Sequence, residues 1–155
     1  MQVKAQQYWI SGSYKLYVYK DNYYDSTEPA NNDCGALTSN AIVPVPIQQG
    51  YEGAIEAVED KDCFSIVSAQ NRNITLTLSI PRNSAANAVN TTIAIRAKVY
   101  DSANGLLGTL NVGPNSPQAS ANIVLLAGDP INILVESANG RAAAVLNSQY
   151  KLAFQ

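Results

Sequence analysis

The chain has 155 residues, of which 46% are hydrophobic and only 14% charged, with a net charge of −2 and no histidine. That length suits one domain with a real core. Charge is well below the roughly 25% of an average soluble domain, so Asn, Gln, Ser and Thr cover the surface, as in many secreted and cell-surface β proteins. No Lys/Arg stripe offers the phosphate neutralisation that nucleic-acid binding needs, and no apolar run reaches the roughly 18–20 residues of a helical membrane span. Without histidine there is no Ser-His-Asp triad, no Cys-His dyad and no histidine-ligated metal.

The opening "MQVKAQQYW" lacks the apolar core of a signal peptide. That leaves a cytoplasmic protein or a mature or excised chain, and the expectation is the second, from an extracellular or cell-surface protein. Six of the nine tyrosines and the single Trp, Trp9, fall in the first 27 residues. Within them "ISGSYKLYVYK" alternates strictly. Tyr14, Leu16 and Val18 share one face, which marks a strand-pairing segment, and Tyr17 and Tyr19 share the other. With Tyr23 and Tyr24, Tyr17 and Tyr19 also form a candidate aromatic binding surface. "KDNYYDSTEPANND" then reads as a linker. Residues 1–27 are accordingly an N-terminal strand and linker, and residues 28–155 the domain proper.

Further along, Pro44 and Pro46 make "IVPVPI" an edge or extended segment. "EGAIEAVE" and "DCFSIVSA" read as half-buried strands. "NITLTLSI" sets Ile74, Leu76, Leu78 and Ile80 against Thr75, Thr77 and Ser79. "TIAIRAKVY" points Ile93, Ile95, Ala97 and Val99 inward, with Arg96 and Lys98 outward. "DSANG" at 101–105 and "SANG" at 137–140 are Asn-Gly turns. "PINILVES" sets Ile131, Ile133 and Val135 against Asn132, Leu134 and Glu136. The Ala-rich pieces "NSAANAV" and "GRAAAVL" have room for a single helical turn. The chain closes on "SQYKLAFQ", in the frame of the first strand: Ile10, Tyr14 and Leu16 match Leu146, Tyr150 and Leu152 at a constant offset of 136 residues. Period two with short turns predicts an all-β chain, a two-sheet antiparallel β-sandwich of jelly-roll-like form.

Cys34 and Cys63, 29 residues apart, can form a disulfide, which in the chain-entropy model stabilises by roughly 3–3.5 kcal/mol. Their polar, acidic surroundings ("NNDCGA", "DKDCFS") favour that over two buried thiols. A zinc site is excluded by the lack of histidine and of a third cysteine.

The order of motifs from Glu28 onward resembles the bacterial pre-peptidase C-terminal domain, a small β-sandwich carried by secreted proteases and collagenases. The residues that carry it are "EPANND", the Gly-containing strand "YEGAIEAVE", the acidic turn and aromatic strand "EDKDCFSI", the "TLTL" strand, "KVYDSANGLLGTL", "GDPINILVES" and "SQYKLAF". Ile131 departs from the pattern, standing where tyrosine is common. The resemblance implies a collagen-binding-domain-like sandwich and, in some members, calcium (Ca2+) held by the opening acidic segment. The matching positions are Glu28, Asn31, Asn32 and Asp33, with Asp60 or Asp62 from the acidic turn. Carboxylates and amide carbonyls are the oxygens a hard cation takes, and the competing reading of these acids is a set of solvated turns.

Together these features predict a non-catalytic secreted binding module, an accessory domain that recognises an extracellular protein, a polysaccharide or its parent enzyme. The alternative is an extracellular fibre or pilus-like subunit that joins identical subunits by donating residues 10–20 as a strand. A hydrolase is the remaining option. No Ser-x-x-Lys opens a helical pattern, and no phosphate-binding Gly-rich loop is present.

Overall fold

The computed structural model describes residues 43–44, 50–55, 57–83, 88–89, 91–141, 143 and 148–155. The 10–20 strand, the linker and the boundary near residue 27 lie outside the described residues. The strands are β1 (Val43–Pro44), β2 (Gly50–Ala54), β3 (Lys61–Ile66), β4 (Arg72–Ser79), β5 (Arg82–Asn83), β6 (Ala88–Val89), β7 (Ile95–Tyr100), β8 (Leu106–Val112), β9 (Gln118–Leu125), β10 (Ile131–Ser137) and β11 (Gln149–Phe154).

One sheet runs β1-β3-β10-β7-β8 and the other β2-β11-β4-β9, with β5 and β6 as a separate two-stranded ribbon. Every pairing is antiparallel except β1 on β3. Apart from that ribbon, the chain from β2 onward changes sheet at every step but one, the β7–β8 hairpin. This crossing pattern is the double Greek key of a jelly roll. The expected sandwich is therefore present, with two layers and one core.

The core follows the alternation in the sequence. Ile74, Leu76 and Leu78 of β4, Ile95, Ala97 and Val99 of β7, and Ile131, Ile133 and Val135 of β10 are all buried in one cluster. On the outer face of β4, Thr75 donates to Asn122 Oδ1 at 3.2 Å, and Thr77 and Ser120 share a 2.9 Å hydrogen bond. Both pairs sit directly opposite one another in the β4–β9 register, where cross-strand partners stabilise a sheet most directly.

Several expectations need correction. "EGAIEAVE" is not one strand: β2 stops at Ala54, residues 57–59 turn, and Val58 is exposed. Its alternating Ala, Val and Ile survive only as far as Ile55, after which the chain must cross between sheets. In "NSAANAV" Asn83 and Ala88–Val89 belong to strands, and residues 84–87, where a helical turn was expected, lie outside the described residues. Asn132 and Leu134 do face outward from β10, yet both are buried, so that part of the outer face is covered. At "DSANG" only Asn104 has a positive φ, 64°. Gly105 is needed for space: a Cβ there would lie 2.6 Å from Asp101 Oδ2.

β11 lies in the middle of its sheet, between β2 and β4. Tyr150, Leu152 and Phe154 are its buried face. Substituting Leu152, fully buried with neighbours on both sides, by Ala should destabilise the fold by about 2–5 kcal/mol, read as a lower urea midpoint with little change in slope.

Candidate functional site

Three motif segments, two of them close in sequence and the third 88 residues further on, meet at one contact. Tyr150 stands opposite Gly53 in the β11–β2 register, and its hydroxyl donates to Asp62 Oδ2 of β3 at 2.5 Å. Asp62 is 0% exposed and shares the inward face of β3 with Phe64 and Ile66. A Cβ on Gly53 would sit 2.7 Å from the Tyr150 oxygen and 2.8 Å from Cζ, so only glycine lets the ring lie across that backbone. The contact joins β3 of one sheet to β11 and β2 of the other. Close by, Thr91 donates to the Gln149 carbonyl at 2.5 Å.

Of the expected calcium ligands, then, Asp62 is an interior side chain bonded to Tyr150, and Asp60 is half-buried in the turn before β3. Glu28, Asn31, Asn32 and Asp33 lie outside the described residues. Among the described residues no three acidic, cysteine or histidine side chains are grouped as a metal site. Cys63 is fully buried opposite Leu134 in the β3–β10 register, and it is not a free thiol. Its acidic neighbours in the sequence had suggested an open site; the strand turns Cys63 under the covered part of the sheet's outer face. Cys34, Tyr14, Leu16, Val18, Tyr17, Tyr19, Tyr23 and Tyr24 lie outside the described residues.

The outer face of the larger sheet carries a charge cluster. Glu136 Oε1 accepts from Arg96 at 2.5 Å and lies 2.8 Å from Lys98 Nζ. Burial pushes its carboxyl upward, but the hydrogen bonds from Lys98 and Arg96 and their charges outweigh that, holding it below the usual carboxylate value. Sequence reading placed all three outward without pairing them; the signal was their shared face on adjacent strands.

On the far side of the sandwich, β8 and β9 form the rims of the two sheets among the described residues. A cavity of about 260 Å³ lies there between the sheets, lined by Val99, Leu107, Leu110, Ala121, Ile123 and Val124 among others. It exists because small residues stand where large ones would fill the gap: a Cβ on Gly108 would touch nothing within 4 Å, and Ala119 and Ala121 face the core from β9. Leu107 is the extra residue of a β-bulge, since Val99 pairs with Gly108 and Tyr100 with Leu106. Of its lining, Leu107 and Val124 are exposed, as are Leu106 and Leu126 beside them in sequence.

The strand order defines the class: a jelly-roll β-sandwich. Within it, the chain resembles the pre-peptidase C-terminal domain of a collagenase from Bacillus anthracis. That likeness has a TM-score of 0.53 at 11% identity, over 74% of this chain and 94% of the other. It bears out, at the level of fold, the resemblance carried by the motifs. Weaker likenesses are a Clostridium perfringens ZmpB fragment holding a carbohydrate-binding module (TM-score 0.45, 13% identity, 68% of this chain and 22% of that one) and the periplasmic lysozyme inhibitor PliG of Aeromonas hydrophila (0.43, 17%, 74% and 96%). No family model and no curated protein sequence matches the chain.

Two outcomes are expected here. Tyr150→Phe removes the donor to a buried carboxyl and should cost about 1–3 kcal/mol, with Gly53→Ala costing a similar amount by overpacking; chemical unfolding of both checks this. Because the folded-state pKa of Glu136 is depressed, its contribution is fully present above the unfolded value, near 4.5, and is lost as pH falls through the lower folded value. Stability of the parent protein should therefore fall more steeply with acidification through that window than stability of Glu136→Gln.

Proposed function

We propose that the chain is a non-catalytic accessory module of an exported protein, which attaches that protein to an extracellular matrix protein or polysaccharide. What carries the reading is the likeness to a collagenase's pre-peptidase C-terminal domain across nearly all of that domain. The β8–β9 side supports it: an apolar cavity rimmed by exposed Leu107 and Val124 suits the side chain or sugar face of an extended ligand better than chemistry. The test is retention of the chain on fibrillar collagen, cellulose and chitin, with soluble controls. Retention on one, reduced at least tenfold by Leu107→Asp, is the expected result; passage through all three without retention removes the proposal.

The site residues add two proposals. Cys34 and Cys63 form a disulfide, supported by the absence of a free thiol at Cys63. Alkylation before and after reduction, followed by mass measurement, should find none and then two reactive thiols. Calcium is bound by Glu28, Asn31, Asn32 and Asp33 with Asp60, while Asp62, engaged by Tyr150, supports the turn from inside. Added Ca2+ should raise the melting midpoint and a chelator lower it, because a ligand of the native state stabilises by mass action; equal midpoints would exclude the site.

A further inference from the structure

The tetrapeptide Ser-Ala-Asn-Gly occurs twice, at residues 102–105 and 137–140, and each copy follows an acid, Asp101 or Glu136. Asparagine is chemically labile, most of all before glycine, whose missing Cβ lets the backbone nitrogen approach the preceding carboxamide. By sequence, Asn104 and Asn139 are equivalent. Both are also exposed, as are Gly105 and Gly140, so access to water does not separate them. What separates them is the use each turn makes of its acid.

In the first copy Asp101 closes the turn. Its Oδ1 accepts from the N–H of Ala103 at 2.9 Å and from the N–H of Gly105 at 2.6 Å. The backbone closes the same loop, Asp101 N donating to Gly105 O at 2.9 Å and Asn104 N to Asp101 O at 3.1 Å. Asn104 is held at φ 64°. The Gly105 nitrogen thus has a carboxylate against it, which favours its protonated, unreactive form and fixes where it points. In the second copy the acid is engaged elsewhere: Glu136 is held by Arg96 and Lys98 on the outer face of the sheet. Ser137 takes over, its Oγ accepting from the Arg141 N–H at 3.0 Å and donating to Asn139 Oδ1 at 3.2 Å. Among the described residues no hydrogen bond holds the Gly140 N–H. A Cβ on Gly140 would meet nothing within 4 Å, whereas one on Gly105 would strike the Asp101 carboxylate.

We propose that Asn139 is a site of spontaneous deamidation, and that Asn104, in the same tetrapeptide, is protected by Asp101. Hydroxide removes the Gly140 N–H proton, and the nitrogen's electron pair bonds to Cγ of Asn139. Charge moves onto Oδ1, where the Ser137 hydroxyl already donates, so a donor stands where the negative charge develops. As the carbonyl re-forms, the Cγ–Nδ2 bond breaks and Nδ2 leaves as ammonia, taking a proton from water. A five-membered succinimide remains. Water adds to one of its two carbonyls and opens the ring to aspartate or isoaspartate at position 139. Overall one water enters and one ammonia leaves, with nothing oxidised or reduced. The net charge of −2 becomes one unit more negative, and the new charge lies between β10 and β11. This goes beyond the accessory-module reading and does not depend on it.

The test incubates the full 155-residue chain, folded and in urea, in mildly alkaline buffer. Peptide mass spectrometry with fragment sequencing follows both asparagines. In urea the two sites should convert within a few-fold of one another, as their shared sequence requires. In the folded chain Asn139 should convert at least tenfold faster than Asn104, while a more acidic species grows at the same rate on ion exchange. Asp101→Ala should raise conversion at Asn104 at least fivefold and leave Asn139 unchanged. Ser137→Ala should slow Asn139 several-fold in the folded chain and leave its rate in urea unchanged. The comparison of folded and unfolded parent chain needs no substitution, so it decides even where a variant fails to fold. Equal conversion of the two sites in the folded chain, or faster conversion at Asn104, overturns the proposal. So does an Asn139 that converts in urea but not when folded, and so does faster conversion of Asn139 in folded Ser137→Ala, which would make the serine a restraint.

Discussion

The hydroxyl of Tyr150 on the carboxyl of Asp62 is the contact on which the two-sheet arrangement turns. A sandwich core is held mainly by non-directional burial, which fixes that two sheets stack but says little about their relative placement. A directional bond between a buried phenol and a buried carboxyl does fix it, since a small slip leaves a polar atom in an apolar interior without its partner. Tyr150 reaches Asp62 across Gly53, where a Cβ would collide with its ring and hydroxyl. One contact thereby sets the relation of β2, β3 and β11, and with it the registers of both sheets at that end.

This gives the family-like motifs a physical reason. The glycine of "YEGAI", the second acid of "EDKDC" and the tyrosine of "SQYKL" look like separate signatures, yet they are three parts of one contact. The acid and glycine of "YDSANG" do similar service, the Asp101 carboxylate accepting from the backbone of Ala103 and Gly105 within its turn. A motif set that looks as though it belongs to a binding site is here mostly a record of how the sandwich is built.

The alternating strands β4, β7, β10 and β11 were legible because apolar residues, nearly all of them large, occupy the alternate inward positions. β9 was not, because Ala119 and Ala121 stand inward where the pattern wants Ile or Leu, leaving only "IVLLA" visible as an apolar run. The same small residues open the cavity, so the signal that failed to announce a strand marks the part of the molecule least filled by its own side chains. The partnership of Asp62 was equally hidden: its neighbours in sequence are acidic and polar, while its partner is 88 residues away. The placement of Cys63 went the same way, since burial on an outer face depends on what covers the sheet and not on local alternation.

The central position of β11 has a consequence for how the chain acquires its structure. β2 meets its partner only when β11 arrives, and Glu52 and Lys151 are 99 residues apart in sequence. During synthesis, N-terminus first, β2 and β4 emerge with a strand-wide gap between them. The smaller sheet cannot close until the last strand inserts into that gap. Such dependence on distant contacts slows folding and leaves a partly built sheet exposed on the way. Any extended segment resembling β11 is therefore a competitor for its place in that interval, and the chain carries one such segment near its own beginning.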